Sequence, residues 1–185
     1  MVTVTESLLP RSRPLTRDDL DAMPDDGHRY ELIDGTLIVS PAPVLRHQRV
    51  VAGLYRTLHG RCPTDLEVLF APFDVALSDS TVLQPDLLVA RRCDLTDRDL
   101  PVAPLLAVEV LSPSTRHIDL MLKRSRFEAA GCPAYWVVDP DQSSLRAWQL
   151  RDDAYEEVGH VVGATTFRTD RPFPVDVTPD ALVEP

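Results

Sequence analysis

Leu105-Leu106-Ala107-Val108-Glu109-Val110-Leu111 is an apolar run of strand length with one carboxylate set inside it. Successive side chains on a strand point to opposite faces, so Glu109 shares a face with Leu105, Ala107 and Leu111. Burying an ionised carboxylate there costs on the order of several kcal/mol, so Glu109 needs a cation, a hydrogen-bonding partner or an exposed strand end. A second apolar run, Val82 to Ala90, carries Asp86 in Gln84-Pro85-Asp86-Leu87-Leu88. Asp86 falls at the start of that strand, on the face of Gln84 and Leu88, although Asp after Pro is equally at home in a turn. Two acids at neighbouring strand ends offer the hard oxygen donors that Mg²⁺ takes, one or two carboxylates with water and phosphate.

The flanking segments fit short elements around these two strands. Thr16 before Arg17-Asp18-Asp19-Leu20 reads as a helix N-cap, with a short helix over roughly residues 17–22. His28-Arg29-Tyr30-Glu31-Leu32-Ile33 and Thr36-Leu37-Ile38-Val39-Ser40 surround Asp34-Gly35, a strong hairpin signal. From Arg46 to His59 the apolar residues keep helical spacing. Leu66 to Leu77 is strand-like and broken by Pro72, and Asp94 to Asp99 reads as a charged surface loop. Ile118 to Ala130 reads as a helix stopped by Gly131 and Pro133. Ala134 to Val138, Ser144 to Leu150 and Tyr155 to Val162 are further strands. This order predicts one α/β (α+β) domain over residues 1–185: a mixed central sheet flanked by helices, an N-terminal hairpin, a C-terminal β-extension and a loose tail at 1–14.

Composition narrows the function classes. Three scattered cysteines without a CxxC pair argue against a disulfide framework or zinc finger, and point to a reducing cytoplasm. No apolar run approaches the ~20 residues of a membrane span. A net charge of −10 argues against a protein that coats nucleic acid by bulk attraction, though local positive charge or a bridging cation can still bring phosphate to a site. The basic residues are 18 arginines and a single lysine, Lys123. Lys123 follows Asp119 by four residues, which fits a surface ion pair. Its helical phase, on the side of Leu120, Phe127 and Ala130, also lets the stem lie along an apolar face while the head reaches a strand end.

Six segments, in order and spacing, carry a resemblance over residues 29–150. They are Tyr30-Glu31-Leu32-Ile33-Asp34-Gly35, Arg46-His47-Gln48, Ala71-Pro72-Phe73-Asp74-Val75, Gln84-Pro85-Asp86, Val108-Glu109-Val110-Leu111-Ser112-Pro113-Ser114-Thr115 and Tyr135-Trp136-Val137-Val138-Asp139-Pro140. The chain resembles the Uma-type family of "putative restriction endonucleases" within the PD-(D/E)xK superfamily. The resemblance implies a restriction-endonuclease-like core hydrolysing DNA with Mg²⁺, or Mn²⁺ in its place. It implies a metal on Asp86, Glu109 and the Val110 carbonyl, and a catalytic set of Glu31, Asp86, Glu109 and Lys123. Leu111 stands where the simplest motif has lysine, so the resemblance implies a migrated lysine, for which Lys123 is the one candidate. His47, Gln48 and Gln84 are candidate substrate contacts, the first two at a helix start that favours anions. Ser112, Ser114 and Thr115 are expected to shape the following loop, and Arg116, Arg124 and Arg126 could form a positive rim. A homodimer is also implied, with exposed strands around Trp148 or Tyr155 as its surface. The alternative is a catalytically inactive DNA- or protein-binding module on the same fold.

Overall fold

A computed structural model describes residues 13–112 and 116–183. The expected tail therefore lies largely outside the described residues, as do Ser114 and Thr115. Its last two residues are docked: Arg13 pairs with Asp19, and a Cβ on Gly35 would meet Pro14 at 2.4 Å. The chain begins with helix α1 (Arg17–Asp21), whose Asp19 carboxylate accepts from the Thr16 amide at 2.8 Å. Strands β1 (Arg29–Ile33) and β2 (Thr36–Ser40) form the hairpin, with Asp34 and Gly35 at φ of 52° and 74°. Both turn positions demand positive φ, which explains why Asp-Gly occupies them.

Helix α2 (Leu45–His59) buries Val50, Leu54 and Leu58 along one face. After it come β3 (Leu66–Phe70), β4 (Asp74–Ser78), β5 (Thr81–Leu83), β6 (Leu87–Arg91), β7 (Asp99–Leu100) and β8 (Leu106–Val110). A π-helical turn (Ile118–Lys123) runs into α3 (Arg124–Ala129). Strands β9 (Ala134–Asp139), β10 (Ser144–Arg151) and β11 (Ala154–Val162) follow, then β12 (Phe167–Thr169), β13 (Val175–Val177) and α4 (Pro179–Val183).

These strands divide into two mixed sheets and a small ribbon, where the sequence suggested one central sheet. The six-stranded sheet has the order β11-β10-β9-β8-β6-β3, with β8 and β9 parallel. The five-stranded sheet has the order β2-β1-β5-β4-β7. The expected strand Val82 to Ala90 is in fact two strands, one in each sheet. Pro85 lacks a backbone donor, and the chain changes sheet at Gln84-Pro85-Asp86. The fold class itself, mixed α+β, stands.

Two other expectations are corrected. Asp94 to Asp99 is not simply a surface loop: Asp99 is buried, pairs with Arg17 and starts β7 beside β4. Trp148 is buried, with the guanidinium carbons of Arg124 and Arg146 at 5.1 Å and 5.0 Å from its ring centroid, and Tyr155 is half-buried with its hydroxyl donating to the Cys132 carbonyl. Neither side chain is exposed, although the β11 strand that carries Tyr155 is a largely exposed edge of the six-stranded sheet.

The six-stranded sheet separates two parts of the core. Leu87, Val89, Leu106 and Val108 pack toward α2. Leu88, Ala107 and Leu111 pack on the other side with Phe127 of α3 and with Ile33, Val75 and Leu83 of the five-stranded sheet. By alternation Glu109 belongs to the second side. Gly53 lets α4 close against α2, since a Cβ there would lie 3.1 Å from the Leu182 backbone.

Candidate active site

The antiparallel register of β6 and β8 pairs Leu87 with Val108, and one further step sets Asp86 opposite Glu109. The two acids thus meet where the sheets join. Asp86 is held on every side. Its Oδ1 accepts from Arg29 at 2.9 Å, and its Oδ2 lies 3.1 Å from His47 Nε2 and accepts from the Val110 amide at 2.8 Å. Burial alone would push this carboxyl up. The His47 hydrogen bond and the charges of Arg29, His47 and Lys123 outweigh burial and hold it down at about 2.

Glu109 is fully buried. Its Oε1 lies 3.2 Å from Lys123 Nζ, which also lies 2.8 Å from Oε1 of Glu31 and 3.8 Å from Oδ1 of Asp119. Burial raises the Glu109 carboxyl well above its ordinary range. Lys123 opposes that shift, and Asp119, Asp86 and Glu31 add to it. For Lys123 burial works toward the neutral amine, but Glu109, Glu31 and Asp119 more than reverse this and raise it further, so the group is an ammonium at any working pH. The expected choice between a surface pair and a reach to a strand end is resolved: Lys123 is 1% exposed and spans two sheets and a helix. In a π-helical turn four residues are close to one full turn, so Asp119 and Lys123 project to the same side.

Glu31 reaches this cluster from β1, buried in the hairpin, and its Oε1 accepts from the Gln84 amide at 2.7 Å. The Gln84 side chain donates instead to Asp74 at 2.8 Å. His47 is buried on Asp86, whereas Gln48 is exposed. The structure thus brings Glu31, Asp86, Glu109, Lys123, His47 and Gln84 into one network and leaves Gln48 at its rim. The Val110 group that meets Asp86 is its amide N–H. Arg116, Arg124 and Arg126 do not form a free rim, being engaged by Asp139, the Trp148 ring and Asp34.

Arg29 belongs to the network although sequence reasoning passed over it, and Asp119, read as the surface partner of Lys123, belongs to it as a buried acid. Arg29 stands two residues before Glu31 on the same strand, and this period-two spacing was the available signal. A cleft of about 790 Å³ opens over the network, bounded by Arg29, His47, Gln48, Phe70, Gln84 and Asp86 among others. It reaches Asp86, while Glu109 and Lys123 lie behind its floor.

The donor set suits a hard divalent cation in kind and in charge. Four acids, Glu31, Asp86, Glu109 and Asp119, gather around Lys123 and Arg29, and neither oxygen of Glu109 makes a hydrogen bond among the described residues. Among the described residues no three carboxylate, imidazole or thiol groups converge at ligand distance. The carboxylates are instead drawn toward Lys123 and Arg29.

The comparisons agree with this architecture. A solved structure titled as a putative nuclease belonging to DUF820, from Anabaena variabilis, superposes with a TM-score of 0.69 at 16% identity. The match covers 92% of this chain and 98% of that one, and it bears on the fold. No curated protein matches the chain. No helix among the described residues is long and apolar enough to cross a membrane. A family profile described as "Putative restriction endonuclease" matches residues 17–182, a span that includes both sheets and every residue of the network. The chain belongs to the Uma2 family of "putative restriction endonucleases".

Proposed function

We propose that the protein is a divalent-metal-dependent endonuclease that hydrolyses phosphodiester bonds in DNA, with Asp86, Glu109, Glu31 and Lys123 as its centre. The observation that carries this reading is the burial of Glu31, Lys123 and Glu109 directly behind Asp86 at the base of a cleft. Burying that many charges is costly, and hydrophobic residues of equal volume would serve stability as well or better. Such an arrangement is retained for chemistry more readily than for folding.

Mg²⁺, or Mn²⁺ in its place, would be held by Asp86 and Glu109 with the Val110 carbonyl, and when bound it polarises a phosphoryl oxygen and acidifies water. The protein's own groups do the rest. Arg29 and His47 keep Asp86 ionised and fixed in orientation. Arg29 also has guanidinium N–H groups beyond the one given to Asp86, and it borders the cleft where a phosphate oxygen would sit. Lys123 stays protonated, so it serves as a fixed positive charge that positions Glu31 and Glu109 and offsets charge building on the phosphate. It does not act as a base. The Gln84 amide fixes Glu31 from the opposite side.

Incubating the protein with supercoiled, linear and single-stranded DNA, with Mg²⁺, with Mn²⁺ and with EDTA, tests this reading. Metal-dependent cleavage that disappears in Asp86→Asn supports it, and cleavage surviving that substitution removes these residues from the chemistry. One observation favours a second reading, a non-enzymatic DNA- or protein-binding module: Glu109 and Lys123 are sealed from the cleft. Wild-type protein that binds no Mn²⁺ and cuts no DNA form would favour the module.

A further inference from the structure

Between Asp34 and Asp65 the chain contains no Asp or Glu, although 29 acidic residues occur in it overall. Four arginines fall in that interval, Arg46, Arg49, Arg56 and Arg61, and all are exposed. Arg46 pairs with Asp141. Arg49, Arg56 and Arg61 make no side-chain hydrogen bond or ion pair among the described residues, whereas most described arginines elsewhere are engaged, as Arg92 is with Glu67 and Arg151 with Glu156. Helix stability accounts for Arg56, which lies in the last turn where a cation favours the dipole, but not for Arg46 and Arg49. Cations near a helix N-terminus oppose the macrodipole, and α2 has no acid in its first turn but carries Arg46 and Arg49 in its first half.

Arg49 and Arg56 are seven residues apart, which sets them on one line along α2, about 10 Å from each other. Gln48, Tyr55 and His59 lie on the adjoining line. The Tyr55 ring stacks on His59, with centroids 5.2 Å apart, and meets Phe70 edge-on at 5.2 Å. Phe70 is 54% exposed and, like Gln48, borders the cleft that ends at Asp86. An aromatic row therefore leads away from the cleft mouth beside a row of free guanidinium groups. Arg56 and Arg61 continue into a second recess of about 610 Å³, which Arg168 shares with the acids Asp170 and Asp176, the latter paired with Arg168.

Resting on the nuclease reading, we propose that this face of α2 is a track for single-stranded DNA. The sugar-phosphate backbone follows Arg49, Arg56 and Arg61, and unpaired bases pack on Phe70 and Tyr55 as the strand enters the cleft. Free cations beside an exposed ring, Phe70, and a half-buried one, Tyr55, are the combination that holds single strands without reading sequence. Rings of this kind reward unstacked bases, since bases within a duplex already have their faces covered. The net charge of −10 suits such a division, because attraction is confined to one face and the remaining surface repels nucleic acid.

The test is fluorescence anisotropy with a labelled oligothymidylate of about 20 nucleotides, in EDTA so that nothing is cut. The triple variant Arg49→Gln, Arg56→Gln, Arg61→Gln should lose at least tenfold in affinity. Its log-affinity against log-salt slope should flatten by about 2, from ~0.7 per lost phosphate contact on a single strand. Phe70→Ala should lose about fivefold. A control that removes equal charge elsewhere, Arg13→Gln, Arg98→Gln, Arg151→Gln, should bind as wild type does. Equal losses in triple variant and control, no binding by wild type, or tighter binding of a matched duplex would each overturn the proposal. The nuclease reading fails separately. Mn²⁺-dependent cleavage with binding unaffected by the triple variant sinks the track alone. Binding that depends on the three arginines, with no cleavage under any metal, keeps the track and sinks the nuclease.

Discussion

The Lys123 ammonium stands 2.8 Å from Glu31 and 3.2 Å from Glu109, so a single buried cation ties the hairpin of one sheet to a central strand of the other. All three groups are at most 1% exposed, and water cannot replace any of them. Lys123→Met should therefore cost about 3–5 kcal/mol at neutral pH, because two carboxylates then face each other without the ammonium between them. Urea unfolding monitored by tryptophan fluorescence measures this.

Asp86 gives the wild-type protein an acid dependence of its own. Its carboxyl is held near 2 in the folded protein, below the ~3.9 of an unfolded chain, so the native state binds fewer protons between those values. Its contribution is complete above pH ~4 and lost as pH falls toward 2, at about 2 kcal/mol in total. Comparing urea midpoints of wild type and Asp86→Asn between those limits should show a shallower acid slope in the variant.

Much of this arrangement was legible in the residues. Asp34-Gly35 fixed the hairpin, because few other dipeptides tolerate positive φ at both turn positions. Glu109 stood out because a carboxylate in an apolar strand demands compensation. Lys123 was singled out by its phase on an apolar helix face. Other features were hidden for physical reasons. Val82-Leu83 and Leu87 to Ala90 are both apolar because both are buried, and hydropathy cannot show that they belong to different sheets. Trp148 looked available because Arg124 comes over its ring from another element, although the period-two spacing of Arg146 on the same strand was a readable signal. Arg29 and His47 reach Asp86 across 57 and 39 residues, and such contacts exist only after the two sheets have joined.

Thiol chemistry reports on the core independently of the site. Cys93 is exposed, Cys62 is half-buried and Cys132 is buried, its Sγ 3.1 Å from the Ala134 carbonyl oxygen. Burial pushes the Cys132 thiol up to about 11 and raises Cys62 as well. At pH 8 a chromogenic disulfide reagent should modify Cys93 rapidly and Cys62 more slowly. Cys132 should react only after denaturant is added.

Metal binding should release protons. Burial raises the Glu109 carboxyl above its ordinary range, so a divalent ion competes with protons there and affinity should strengthen as pH rises. Mn²⁺ titration calorimetry in buffers of different ionisation enthalpy measures the release. Glu109→Gln should abolish both the release and any rise in melting temperature caused by the ion.

Single-turnover cleavage of DNA with Mn²⁺, comparing wild type with Glu109→Gln at temperatures where both remain folded, tests the proposed chemistry most directly. The nuclease reading expects cutting by wild type, silence in EDTA, and a drop of at least a hundredfold in the variant. Equal rates for the two proteins, or no cutting by wild type on any DNA form, would contradict it.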